Sequence, residues 1–395
     1  MSTTPFTILG RAIVGEKGVK RLRQQHPWVY KSDITTMPGS AAGLVLVAGA
    51  DDRVYGTALY SPKSTITLRM VAWGREPFDA VSVRNRVYEA KLRRERLMPN
   101  VDAFRALHGE ADRLPGLFVD RYGDCLVVQS TTASADVIQP ILIESLADIY
   151  APKTLIVRND AGARQREQLA SDVRIIKGVP PVTARYHEGS IAYDIDPLSD
   201  QKTGSFLDQA TNHVHAGTFA RGEGLDCFTY HGGFALQLAR QGCDHVTAVD
   251  ISAPAIAKVR ANAERAGLSA KVDAVQRDVF ELLPELVREK RQFDTVVLDP
   301  PAFASGKDTE HNALRAYNEV NLRAMKLVKP NGVLISCSCS GRITPDAFDT
   351  MLVAAARNAQ RTIHIVERRA AGPDHPVLGG VPETDYLKCR VLVVL

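Results

Sequence analysis

Five side chains that could do chemistry follow predicted β-strands in the second half of the chain, four of them acidic and one a thiol. They are Asp226, Asp250, Asp278, Asp299 and Cys339. The carboxyl ends of parallel strands meet at one edge of an open α/β sheet, and ligands bind in the crevice outside those ends. One acid alone could simply cap the following helix. Five such placements in succession instead predict a ligand site along this edge.

The first of these acids lies in a strand, glycine turn and helix predicted over residues 224–241, and the next strand, 245–249, ends on Asp250. Such a βαβ unit places a carboxylate about where a ribose diol needs an acceptor. The turn lacks the G-x-G-x-x-G pattern, and a pyrophosphate usually needs more free N–H groups at a helix start. S-adenosylmethionine carries no phosphate. Asp226 could accept from its amino group, Gly232 could allow close backbone approach and Asp250 could bind its ribose, so the unit predicts an S-adenosylmethionine site.

The following residues keep an α/β rhythm that would bring the remaining acids to the same edge. Helices are predicted over 254–266, 282–289 and 312–327, and strands over 271–275, 295–298 and 332–336. Strands that alternate with helices predict an open, Rossmann-like parallel sheet. In such a sheet Asp278 could accept from the adenine amine. Asp299, with Pro300 in a stiff loop, would lie beside the transferred methyl group.

Cys339 and Asp299 together suggest a reaction. C5 of cytosine is a poor nucleophile until a group adds at C6, and a thiolate both adds there and leaves again readily. Asp299, as an acid near N3, would assist the addition, and a base must later remove the C5 proton. Cys337, two residues earlier, is predicted to be dispensable. A D-P-P run followed by an aromatic is also how amino-methylating enzymes stack a flipped base, so Phe303 keeps methylation of an amino or ring nitrogen open.

The first quarter of the chain is basic, although the whole chain is nearly balanced. Residues 1–100 contain 16 lysines and arginines against 8 acidic residues, whereas the 395-residue chain has a net charge of +4. A basic front on a near-neutral enzyme indicates a polyanion partner such as RNA. The arginines predicted to contact phosphate, some of them on a helix predicted over 79–98, are Arg21, Arg23, Arg84, Arg93 and Arg94. A solvated basic helix face is the alternative.

Cysteine usage and hydropathy limit the compartment and class of the protein. Six cysteines in 395 residues form no disulfide framework, and no C-x-x-C pair indicates zinc. No apolar run approaches the ~18 residues that a membrane helix needs, and the first residues, Met-Ser-Thr-Thr-Pro, carry no secretion signal. With 45% hydrophobic and 24% charged residues, we expect a cytoplasmic globular protein with no metal and no membrane partner.

The first 74 residues read as short strands separated by turn signals. Strands are predicted over 7–9, 43–48, 54–60 and 65–71, which indicates a small barrel. Between the first two strands lie the basic run 18–23 and the segment 26–30 around Trp28. This part of the chain resembles the PUA domain, a small RNA-binding barrel at the head of a family of bacterial ribosomal-RNA methyltransferases. The resemblance implies that Arg21 and Arg23 contact RNA phosphates.

Further motifs occur in order along the chain. They are Gln-Lys-Thr-Gly and Leu-Asp-Gln within 200–209, the glycine-turn segment 226–234, Asp-Pro-Pro-x-Phe at 299–303, Ser-Cys-Ser-Gly at 338–341, and the tail segments 374–377 and 386–388. Together they resemble the bacterial 23S ribosomal-RNA 5-methylcytosine methyltransferases with an N-terminal PUA domain. The resemblance implies that Cys339, directly before Ser-Gly, is the nucleophile.

The same resemblance implies further contacts with S-adenosylmethionine beyond the strand-end acids. These are Lys202, Thr203, Gly204, Phe206, Asp208, Phe228, Tyr230 and Pro300. The implied fold is α/β. It consists of a Rossmann-like class I methyltransferase domain over residues 187–395, preceded by a PUA barrel over 1–75 and a small α+β middle domain over 76–186.

The expected activity is therefore the formation of 5-methylcytosine in 23S ribosomal RNA through a covalent cysteine adduct at C6. Two alternatives remain open. One is a guanine N2 or N7 methyltransferase with the same cofactor fold, and the other is a non-catalytic RNA-binding assembly factor that keeps a cofactor pocket. Assembly as a homodimer is also left open.

Overall fold

Residues 6–180, 182–303 and 309–395 are described by a computed structural model, in which the chain divides into two units. The first unit contains Met1–Tyr186, Asp194–Phe206 and Pro373–Pro382, and the second contains His187–Tyr193, Leu207–Gly372 and Glu383–Leu395. The linear division into three domains at residues 75 and 186 stays a prediction.

Among the described residues, the N-terminal part of the first unit contains six strands and one α-helix. They are β1 (Ile8–Val14), α1 (Glu16–Arg23), β2 (Trp28–Tyr30), β3 (Ile34–Thr36), β4 (Gly43–Gly49), β5 (Val54–Tyr60) and β6 (Ile66–Trp73). The strands form one sheet in the order β2-β6-β5-β4-β1-β3. Its core contains Val14, Leu22 of α1 and Tyr60. β1 runs beyond the predicted strand at 7–9 because it pairs in parallel with β4 as far as Val14.

The rest of the first unit is built on a second sheet. Its elements are α2 (Ala80–Leu97), β7 (Ala103–His108), β8 (Leu117–Tyr122), β9 (Cys125–Ser130), α3 (Ala133–Tyr150), β10 (Thr154–Asn159), α4 (Gly162–Arg166) and β11 (Asp172–Lys177). The strand order is β11-β10-β9-β8-β7. α2 begins where predicted because Asp79 and Ser82 form a capping box, in which Ser82 N donates to Asp79 Oδ1 at 2.8 Å.

A two-stranded sheet of β12 (Ala184–Glu188) and β13 (Ile191–Ile195) follows. The elements of the second unit then are α5 (Ala210–Ala216), β14 (Gly222–Cys227), α6 (Gly233–Gln241), β15 (Cys243–Asp250), α7 (Ala253–Arg265), β16 (Val272–Gln276), α8 (Val279–Arg288), β17 (Phe293–Leu298), α9 (Thr309–Leu327), β18 (Val328–Ser338), α10 (Pro345–Asn358), β19 (Ile363–Arg369) and β20 (Lys388–Val394). No helix within the described ranges is long and apolar enough to cross a membrane.

The second unit has a seven-stranded sheet in the order β16-β15-β14-β17-β18-β20-β19. From β16 to β18 neighbouring strands run parallel. After β14 the chain adds β15 and β16 on one side and later adds β17 and β18 on the other. The strand order therefore reverses between β14 and β17, which is where open α/β sheets bind ligands. The predicted Rossmann-like sheet is confirmed.

The two strands that follow α10 were not predicted, and they change the end of β18. β20 pairs antiparallel with β18 as far as Ser338, opposite Lys388, and with β19 on its other side. This pairing carries β18 two residues beyond the predicted end at residue 336. Cys337 therefore lies inside the strand, whereas Cys339 follows its last residue.

Candidate active site

Asp226 anchors the turn that follows β14. Its side chain is fully buried, and its Oδ2 accepts hydrogen bonds from Thr229 Oγ1 at 2.6 Å and from Ala235 N at 2.9 Å. The second bond satisfies an N–H in the first turn of α6, which has no partner within the helix. The other oxygen, Oδ1, is buried without a hydrogen-bond partner among the described residues. Burial raises the pKa of Asp226 to about 7, because it disfavours the charged carboxylate.

The turn between β14 and α6 takes up left-handed backbone three times. Phe228, Tyr230 and Gly232 have φ values of 65°, 51° and 91°. A Cβ at Gly232 would lie 3.3 Å from Leu236 Cγ and 3.4 Å from Val259 Cγ1. Left-handed backbone is unfavourable for residues with a side chain, and strained conformations of this kind concentrate at ligand sites.

Asp250 and Asp278 each hold the backbone that follows their strands. Asp250 accepts from Tyr230 N at 3.0 Å through Oδ2 and from Ser252 N at 2.9 Å through Oδ1. Asp278 caps α8, and its Oδ1 accepts from Phe280 N at 2.8 Å. An ionised carboxylate has about four acceptor positions, so both acids can bind a ligand in addition to these backbone groups.

These groups fit the polar needs of S-adenosylmethionine. Because β14, β15 and β16 are adjacent and parallel, Asp226, Asp250 and Asp278 lie at or just after the carboxyl ends of neighbouring strands, at one edge of the sheet. The unpartnered Oδ1 of Asp226 would accept from an amino group. The remaining acceptor positions of Asp250 would accept from the ribose hydroxyls.

Asp299 and Cys339 follow the next two strands along the same edge. Asp299 comes directly after β17, and its Oδ1 accepts from Gln209 Nε2 at 3.0 Å. Pro300 is buried beside it. Cys339 follows β18 and is partly exposed, whereas the other five cysteines are buried. β17 and β18 are paired in parallel, so the carboxyl group and the thiol lie at neighbouring strand ends.

Cys337 is in a different environment from Cys339. Its side chain is fully buried, and its register partner across the antiparallel pair is Cys389. Burial raises the pKa of the Cys337 thiol well above its ordinary value, so it is a poor source of thiolate.

Phe303 is half-buried in an aromatic cluster at the edge of the core. Its ring centroid lies 4.8 Å from that of Tyr317 and 5.7 Å from that of Phe280. Its use as a stacking surface for a flipped base stays a prediction.

Comparison with known proteins identifies the family. Residues 157–389 match the family described as S-adenosylmethionine-dependent methyltransferase, and residues 12–73 match the PUA-like domain. The chain belongs to the S-adenosylmethionine-dependent methyltransferase family. The cofactor inferred from the strand-end acids and the PUA-like start of the chain are thereby confirmed.

Two relatives match this methyltransferase over nearly its whole length. Ribosomal RNA large subunit methyltransferase I of Shewanella denitrificans is 35% identical over 378 residues, covering 93% of this chain and 95% of that protein. The Vibrio cholerae protein of the same name is 34% identical, with 94% and 97% covered. This chain belongs to the same family as those proteins. Among solved structures, SMU.776, described as a methyltransferase complexed with SAH, has a TM-score of 0.85 at 18% identity, covering 98% of this chain and 100% of that chain, and shows the fold.

The predicted cofactor residues before α5 divide between the two units. Lys202, Thr203, Gly204 and Phe206 belong to the first unit, and Asp208 belongs to the second. Thr203 is buried, and its Oγ1 donates to Asp120 Oδ2 at 2.6 Å. Lys202 Nζ lies 4.1 Å from the centroid of the Phe206 ring. Asp208 Oδ2 accepts from Tyr386 OH at 2.8 Å. Their shared role in cofactor binding stays a prediction.

The prediction of phosphate contact is wrong for Arg94. Its side chain is only 2% exposed and forms two 2.7 Å hydrogen bonds with Asp112. It also donates to the backbone oxygens of Arg105 at 3.0 Å and Asp374 at 2.8 Å. An RNA phosphate cannot reach a guanidinium that is buried and already bonded on all sides. Arg94 is therefore a structural residue of the first unit.

The other four arginines remain accessible to different degrees. Arg93 is 44% exposed although it also bonds Asp112, and Arg84 is 36% exposed beside Asp148. Arg21 lies 4.3 Å above the Tyr30 ring and 3.7 Å from Asp33, with 31% of its side chain exposed. Arg23 is exposed in the last turn of α1. RNA contact by these four stays a prediction.

Two residues near the strand ends were missing from the predicted site. Gln209 bonds Asp299, and Lys388 at the start of β20 is buried next to the segment that carries Cys339. Both lie within motifs quoted from the sequence, in 200–209 and 386–388. No spacing rule could place them beside Asp299 and Cys339, because they approach from a region preceding the sheet and from an unpredicted antiparallel strand.

Proposed function

We propose that this methyltransferase forms 5-methylcytosine in ribosomal RNA in the cytoplasm, through a covalent adduct between Cys339 and C6 of the target base. The observation that carries the proposal is the contrast between the two neighbouring thiols. Cys339 is partly exposed at the end of β18, next to the strand end that holds Asp299, whereas Cys337 is buried. The names of the relatives support ribosomal RNA as the substrate.

In the proposed reaction the Cys339 thiolate forms a bond to C6 of cytosine, and the C5–C6 π electrons move toward N3. Asp299, in its protonated form, donates its proton to N3 and so stabilises this adduct. S-adenosylmethionine, when bound, supplies an electrophilic methyl group for C5. A base then removes the C5 proton, the C5–C6 double bond re-forms, and the Cys339 thiolate leaves as N3 returns its proton to Asp299. The thiolate is regenerated at each turnover.

Asp226, Asp250 and Asp278 would hold the cofactor through its amino group, ribose and adenine. Gln209 would hold Asp299 in place, since its Nε2 donates to Oδ1.

The experiment is nucleoside analysis of ribosomal RNA after reaction with the enzyme and methyl-labelled S-adenosylmethionine. We expect label in 5-methylcytosine with wild type and with Cys337→Ala, and none with Cys339→Ala. RNA that carries 5-fluorocytosine should trap a covalent adduct with wild type, because fluorine cannot leave as a proton does, and Cys339→Ala should form none. Label in a methylated guanine would instead establish the alternative substrate. Normal methylation by Cys339→Ala would overturn covalent catalysis.

A further inference from the structure

We propose that Lys388 is a positioning residue for the nucleophile: its side chain fixes the segment that carries Cys339 and places a positive charge beside the thiolate. This inference rests on the proposed role of Cys339. It concerns a buried cation to which the mechanism above gives no part.

The position of Lys388 follows from the register of β20. Its Cα lies opposite that of Ser338, the last residue of β18. Its Nζ donates to the Ser340 carbonyl oxygen at 2.5 Å and to the Tyr386 carbonyl oxygen at 2.8 Å. Lys388 thus holds the chain on both sides of Cys339, through strand pairing before it and a charge-assisted hydrogen bond after it.

The burial of Lys388 calls for a compensating anion. The residue is only 1% exposed, and a buried ammonium group is costly unless it is paired. The hydrogen-bond partners given for Nζ are carbonyl oxygens, which carry no full charge. Of the charges that favour the ammonium form, Cys339 contributes most, ahead of Asp385, while Arg390 opposes it. The thiolate of Cys339 is therefore the anion that this cation is placed to stabilise.

The electrostatic surroundings set the pH range in which the pair can act. Burial, more than any other cause, lowers the pKa of Lys388 to about 8. Its ammonium is thus largely present at pH 7 and is lost as the pH rises through 8. Tyr317 also interacts with Cys339, and burial raises the pKa of its phenol above the ordinary value, so it stays neutral. Lys388 thus supplies a positive charge that favours thiolate formation.

The test measures the thiol directly, apart from methyl transfer. Iodoacetamide reacts with the thiolate, and mass spectrometry of the native protein reads its rate at Cys339 as a function of pH. Lys388→Met should move the midpoint of this profile upward by about one pH unit, which leaves about a tenth as much thiolate below the midpoint. The matched control is Lys326→Met, which removes an exposed lysine of α9 and should leave the midpoint unchanged.

Lys388→Arg separates charge from packing. Arginine stays charged above pH 8, so the midpoint should remain low. The kcat of wild type for methyl transfer should fall above pH 8, as Lys388 loses its proton. The kcat of Lys388→Arg should not fall in this range. Lys388→Met should lower kcat about tenfold at pH 7 with little change in the KM for S-adenosylmethionine.

A folded Lys388→Met variant with the wild-type alkylation midpoint would overturn the proposal. If that variant does not fold, the alkylation profile of wild type decides the question. A Cys339 midpoint at or above ~8.5, the pKa of a free thiol, would refute charge stabilisation, and a lower midpoint would support it. Normal methylation by Cys339→Ala would refute the proposed function, whereas the alkylation profiles would still report whether Lys388 acts on the thiol.

Discussion

Replacing Asp226 with asparagine should make the protein more stable at alkaline pH while weakening its hold on S-adenosylmethionine. The carboxylate is fully buried, and one of its oxygens has no partner among the described residues. Asparagine has nearly the same shape, and its Oδ1 can accept the same two hydrogen bonds, from Thr229 Oγ1 and Ala235 N. The variant therefore removes the buried charge and leaves the fold of the turn in place.

The magnitude follows from the pKa of Asp226, which burial raises from 3.8 to about 7. Between those values the folded state holds a proton that the unfolded chain has released, so the free energy of unfolding falls as pH rises. The stabilisation is complete below pH 3.8 and is lost as pH passes through 7. At 1.36 kcal/mol per pKa unit, the ionisation of Asp226 lowers the free energy of unfolding of wild type by about 4 kcal/mol over this pH range. Asp226→Asn does not undergo this loss.

Urea unfolding at intervals from pH 4 to pH 8 checks this prediction. The variant and wild type should be similar at pH 4, and the variant should gain relative stability up to pH 8. Asp273→Asn, which changes an exposed acid on β16, should show no such trend. Calorimetry at pH 8 should find S-adenosylmethionine bound about 10- to 100-fold more weakly by Asp226→Asn, because the charged acceptor is gone. A stability difference that does not change with pH would refute the assigned ionisation of Asp226.

Three further predictions concern cofactor binding, RNA binding and stability. Asp250→Ala should weaken S-adenosylmethionine binding by about 1–3 kcal/mol in calorimetry, and unchanged affinity in a folded variant would exclude a ribose contact. Changing Arg21 and Arg23 to glutamine should make the slope of log RNA-binding constant against log salt concentration shallower by about 1.4–1.8. An identical slope would show that neither arginine contacts an RNA phosphate. Arg94→Ala should destabilise the protein by about 3–5 kcal/mol in urea unfolding, because it leaves Asp112 buried without its bidentate partner. A loss under 1 kcal/mol would contradict the structural role of Arg94.

The strand ends of the second unit could be predicted from the sequence because local signals agree there. Glycine at the turn after β14, apolar strand residues and a helical period in α6 specify one βαβ unit. The acids that follow parallel strands then share an edge as a matter of topology. β19 and β20 carry no comparable signal, because their positions depend on antiparallel pairing with a distant strand.

Arg94 shows how a correct pattern can carry a wrong interpretation. It lies four residues after Ala90, which itself follows Val83 and Val87 at helical spacing, so all four share the buried face of α2. Basic residues on a helix are usually solvated, so the sequence predicted that Arg94 contacts RNA phosphate. The spacing could not show that Asp112 would meet Arg94 inside the protein. Whether an arginine on a helix is buried therefore depends on a partner that is distant in sequence, which the pattern of the helix alone does not show.

The choice between two thiols only two residues apart depends on where a strand ladder ends. Pairing with β20 continues through Cys337, opposite Cys389, and stops at Ser338, opposite Lys388. Inside the ladder the side chain of Cys337 is buried and its pKa rises. One residue beyond the ladder Cys339 is partly exposed, and Lys388 bonds the backbone that follows it. Strand β20, which no local pattern predicted, thus covers Cys337, ends its pairing before Cys339 and carries the nearby cation Lys388. Under the proposed mechanism, extending this ladder by one residue pair should bury Cys339 and abolish methyl transfer without changing any residue proposed to contact the cofactor.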